Sequence, residues 1–135
     1  MSSALDTARA AVEELIRANW TNPTTTIAWP NVPFTPPETG VYIAPHVLWG
    51  RGAISTKNGR NTVVGSLSVN VYSRRAAGGG PAHQSADDLR DLVNRVETSG
   101  VRFGAPSGPT EVPSADAAWV QYNVSIPFSV DEIVT

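Results

Sequence analysis

The chain has 135 residues, a formal net charge of −2, 41% hydrophobic residues and 16% charged ones. That length suits one domain, and the low charge density excludes disorder driven by charge repulsion. No cysteine is present, which excludes disulfides, thiol catalysis and thiolate metal sites.

The first segment is predicted to be a helix. Ser3 and Asp6 resemble a capping box, and Leu5, Val12, Leu15 and Ile16 recur at spacings that set an apolar stripe on one face. Asn19 can close this helix and Pro23 prevents its resumption. Residues 25–29 read as a short strand. The next stretch, from Trp29 to Pro37, holds four prolines and reads as an extended connector with Val32 and Phe34 available to bury. Its overlapping P-x-x-P spacings lack the flanking bases of a signalling ligand, so a rigid connector is the better reading.

A strand over 41–49 follows, with Pro45 marking an edge position or a bulge. Residues 50–61, rich in turn formers and bases, read as a long loop. The clearest strand spans 62–73. There Val63, Leu67, Val69 and Val71 share one parity, and Ser66, Ser68 and Asn70 the other. Residues 74–83, with three consecutive glycines, read as a second long loop. Ser85 and Asp88 repeat the cap spacing ahead of a helix with Leu89, Leu92, Val93 and Val96 on its apolar face. Val101 and Phe103 start a short strand, 104–110 reads as a turn region, and Glu111-Val112 lead on from it. In the last strand Val120, Tyr122, Val124 and Ile126 alternate with polar residues. Phe128 continues the alternation, Pro127 puts the strand's end at an edge or beyond the ladder, and 131–135 form a short tail led by two acids. Helices and strands are not regularly interleaved. The expected class is α+β: a single domain over 1–135, with one mostly antiparallel or mixed sheet and two helices packed on one face.

Enzyme chemistry is sparse. The only histidines are His46, beside a proline, and His83, in the glycine loop. His83, Asp87 and a serine could be assembled into a triad on paper, but no G-x-S-x-G surrounds any serine. Asp87, Asp88 and Asp91 fall in the first turns of a helix, where carboxylates suit the helix dipole without any metal. Neither a P-loop nor a dinucleotide fingerprint is present, so no catalytic, cofactor-binding or metal residue is assigned and the chain is read as a non-enzyme. No apolar run approaches the ~18 residues of a membrane-crossing helix. The N-terminus has neither the basic start nor the apolar stretch of a signal peptide.

Charge is unevenly spread. Residues 39–86 carry five bases, Arg51, Lys57, Arg60, Arg74 and Arg75, and no acid. Residues 103–135 carry four acids, Asp131 and Glu132 among them, and no base. This split suits a head-to-tail contact between copies. The alternative is two solvated surfaces that happen to differ. The seven residues just named are the candidate interface set.

The run Ile27 to Pro37, followed by Gly40-Val41-Tyr42-Ile43, resembles the tail terminator (tail completion) proteins of long-tailed phages. The likeness continues through Val69-Asn70-Val71-Tyr72 and the glycine loop into the helix with Ala86, Leu89 and Leu92. The resemblance implies a sheet packed by two helices, no catalytic residues and no cofactor. It also implies a homo-oligomer, a hexameric ring on the head-proximal end of the tail tube, assembled in the host cytoplasm and carried in the virion. Its partners would be the tail tube protein and the head-completion or connector proteins. DNA would pass through the lumen without specific binding. Alternatives are another neck or tail protein, such as a head-tail connector subunit, and, from a different class, a small hydrolase.

Overall fold

Two fifteen-residue strands, β3 (Arg60–Arg74) and β7 (Trp119–Ile133), pair antiparallel along their whole length at the centre of the sheet. The computed structural model describes residues 4–20, 26–30, 41–54, 60–74, 78, 80–94, 97–98, 100–113 and 118–133. In chain order the other elements are α1 (Ala4–Asn19), β1 (Thr26–Ile27), β2 (Val41–Ile54), α2 (Gly80–Val93), β4 (Glu97–Thr98), β5 (Val101–Phe103) and β6 (Ser107–Val112). Among the described residues the sheet runs β1-β2-β3-β7-β5-β4, and β6 lies on the same margin of β7 as β5. All pairings are antiparallel except that of β1 with β2.

Both helices cover one face of this sheet, as expected. Strand parity decides which face. Val41 and Ile43 of β2, Leu67, Val69 and Val71 of β3, and Val124, Ile126 and Phe128 of β7 are buried in one cluster. The same cluster takes Ala8, Val12 and Ile16 from α1 and Ala82, Ala86, Leu89 and Val93 from α2. Leu15, Leu92 and Tyr122, expected in the core, are half-buried against it. The side chain of Leu5, the cap residue Ser3, and Val96 lie outside the described residues.

Several boundaries differ from the sequence reading. The loop expected over 50–61 is mostly strand: β2 runs on to Ile54 and β3 begins at Arg60. A register shift between Trp49 and Gly52 absorbs the Gly-Arg-Gly turn signal as a bulge, so the ladder resumes at Gly52↔Val63. The loop expected over 74–83 is also shorter. Arg74 is still in β3, and α2 starts at Gly80 with Pro81 in its first turn, where a missing N–H costs nothing. Ser85, expected near the cap, is buried inside that helix. The turn region 104–110 contains most of β6, whose register shifts between Ser107 and Thr110 around Gly108 at φ 100°. β7 does not stop near Pro127 but continues to Ile133, taking in Asp131 and Glu132. The strand expected over 25–29 shrinks to β1, and the connector residues 31–37 lie outside the described residues.

The two strand prolines are explained by which way their backbone faces. A strand residue presents its N–H and C=O to the same side. The Pro127 carbonyl accepts the Gly104 N–H at 2.8 Å, so the proline nitrogen faces the gap between β5 and β6 rather than β3. Likewise the Ile43 carbonyl accepts from Ala28 at 2.8 Å on the β1 side, and Pro45, two residues on, presents its nitrogen to that outer edge. Neither proline removes a bond from the β2–β3–β7 ladder.

Gly65 is required by its neighbours. It lies between Trp49 and Phe128 in register, and those two rings meet edge to face at 5.3 Å. A Cβ on Gly65 would sit 2.7 Å from Phe128 Cζ and 2.9 Å from the Leu48 carbonyl oxygen. Gly65→Ala is therefore expected to destabilise the fold by about 1–3 kcal/mol through overpacking. Leu89→Ala, at a fully buried site, is expected to cost about 2–5 kcal/mol, and Leu92→Ala clearly less. Urea-denaturation midpoints of the three variants measure this order, and equal losses at Leu89 and Leu92 would contradict the packing of α2.

Candidate assembly surfaces

The candidate interface residues fall at two ends of the sheet. At one end β2, β3 and β7 extend together as a three-stranded arm. Its register places Arg60 opposite Ile133, Asn61 opposite Glu132 and Thr62 opposite Asp131. Arg51 occupies the bulge of β2 beside the same arm. The bases Arg51 and Arg60 and the acids Asp131 and Glu132 are thus brought to neighbouring strands of one subunit rather than to remote surfaces. Lys57 lies outside the described residues. Arg74 sits at the far end of β3, ~46 Å away at strand rise, and Arg75 next to it is outside the described residues.

Arg74 belongs to an aromatic cluster on the sheet face opposite the helices. Its guanidinium lies 3.9 Å above the Trp119 ring, its register partner on β7. Tyr42 stacks on Tyr72 at 4.7 Å and meets Trp119 edge-on at 5.1 Å. Burial raises the Tyr72 phenol above its ordinary 10.0 by desolvating the phenolate. Beyond the aromatics this face carries a polar ladder. Asn123 Nδ2 donates to Ser68 Oγ and Asn70 Oδ1 at 3.0 Å each, and the Ser66 and Ser125 hydroxyls pair at 3.0 Å. At the arm's base the face turns apolar, with Leu48 56% and Val64 48% exposed. The polar parity of Ser66, Ser68 and Asn70 was visible in the sequence. The cross-strand register that pairs them with Asn123 and Ser125 was not.

The helix layer holds most of the described charge. Arg9 bridges Asp6 at 2.8 Å and Glu13 at 2.5 Å, Arg17 bridges Glu14 at 2.8 Å, and Arg17 also lies 5.4 Å over Trp29. Hydrogen bonds to Asp6 and Glu13 raise the Arg9 guanidinium above its already high value. On α2, Asp87 and Asp91 are exposed, and Arg90 donates to the Gly108 carbonyl at 2.8 Å.

The two histidines lie on opposite sides of the sheet. His46 is exposed on the open face of β2, and His83 is exposed on α2 with its ring edge-on to Tyr122 at 5.4 Å. His83 and Asp87 are both exposed on α2. A cleft of about 320 Å³ does open between α1, Trp29-Pro30 and β2, but its ionisable lining among the described residues is Arg9 and Glu13. Among the described residues no three His, Asp or Glu side chains gather as a metal site, and no helix is long and apolar enough to cross a membrane.

The model of the family described as phage tail terminator protein matches residues 7–128. The chain belongs to the phage tail terminator family. Tail terminators are virion structural proteins, so the chain is a component of a phage tail that assembles with other virion proteins. One solved structure, of a protein without a descriptive name, is 26% identical over 99% of this chain and 100% of its own, with a TM-score of 0.71. A second, from the virion of a native gene transfer agent particle, is 20% identical over 91% of this chain and 93% of its own, with a TM-score of 0.61, and shares the fold. No curated protein matches the chain.

The raised phenol of Tyr72 sets a pH dependence. The native state keeps this proton at pH values where the unfolded chain has begun to lose it near 10.0, so the unfolded state is favoured as pH climbs. Its contribution to stability is present below about pH 10 and declines above it. Denaturation across pH 8–11.5 should show that decline, and Tyr72→Phe should flatten it. An unchanged slope in the variant would mean that Tyr72 titrates as if exposed.

Proposed function

We propose that the protein is the ring-forming terminator of a long phage tail. Copies join in a hexameric ring on the head-proximal end of the tube, stop tube polymerisation and offer a surface to head-completion or connector proteins. DNA crosses the lumen without sequence readout. The single observation that carries this reading is the tail terminator family match over residues 7–128.

The fold supplies suitable parts. A cyclic ring needs heterologous contacts, one patch of a copy against a different patch of the next. The β2–β3–β7 arm reaches beyond the helix-covered core, and its paired backbone gives it a defined shape. Arg51, Arg60, Asp131 and Glu132 all belong to this arm, and Lys57 falls in the chain segment between its first two strands, so a neighbour or the tube engages bases and acids together. Arg74 and Arg75, at the other end of β3, mark a second contact region. Opposed ends of one rigid strand pair suit a ring with a tube-facing side and a head-facing side.

Arm shortening tests the reading. Gly52 and Val63 face one another in register, so an Asn-Gly turn can join them in place of residues 53–62. The shortened protein should keep a near-native melt, since the helix-packed core lies outside the arm. It should fail to form rings in negative-stain images or to cap purified tail tubes. Rings and tails of normal length from the shortened protein would show the arm to be passive.

A further inference from the structure

No further inference is drawn: the strongest candidate, the exposed apolar patch of Leu48, Val64 and Pro127 at the base of the arm on the sheet face opposite the described helices, carries nothing, because nothing in the structure shows what covers it.

Discussion

The fifteen-residue pairing of β3 with β7 is the constraint on which the rest depends. Register in a sheet decides faces, because a slip of one residue sends every side chain to the other side. With Val69 opposite Val124 and Leu67 opposite Ile126, the apolar halves of both strands coincide and give the helices one surface to cover. The same register necessarily sets Ser68 opposite Ser125 and Asn70 opposite Asn123 on the reverse side. Core and ladder are two consequences of one alignment. The pairing also continues past the helices, and that surplus length is the arm.

Backbone exceptions occur where this ladder can tolerate them. Pro45 and Pro127 both turn their missing N–H away from the central strands. Gly65 removes a side chain where Trp49 and Phe128 close over the middle strand from its two neighbours, so the aromatic contact spans three strands. The bulge between Trp49 and Gly52 comes immediately after this packed point, where β2 leaves the core and enters the arm. A bulge increases local twist, so the arm need not continue the direction of the core sheet.

Much of this was legible in the sequence, for a physical reason. Val12, Ile16, Leu89 and Val93 at helical spacing and Leu67, Val69 and Val71 at strand spacing report burial directly, and the structure buries all of them. Fold class and the shared helix face follow from those periods. What failed were the places where turn chemistry is reused inside regular structure. Gly50-Arg51-Gly52 looks like a loop and forms part of a bulged strand. Pro81 looks like a breaker and sits in a helix's first turn. Gly108-Pro109 looks like a turn and lies in an irregular edge strand. Composition cannot separate these cases, because they differ in what lies alongside rather than in the residues themselves. The interface set was affected by the same limit. Arg60 and Glu132 are far apart in sequence, and only the strand register shows that they share one arm.

A sheet that, among the described residues, carries its helices on one side faces a difficulty that a sandwich does not. Its second face must be polar enough to stay dispersed before assembly, yet it cannot depend on a partner to satisfy its polar groups. Long charged side chains are the usual solution, and they commit the face to solvent or to an oppositely charged surface. Short Ser and Asn side chains bonded across strands solve the problem differently. They keep the face hydrophilic while confining its hydrogen bonds to the subunit, and they add cross-strand ties between β3 and β7 in the process. Such a ladder stabilises the fold that bears it without recruiting any group from outside the subunit.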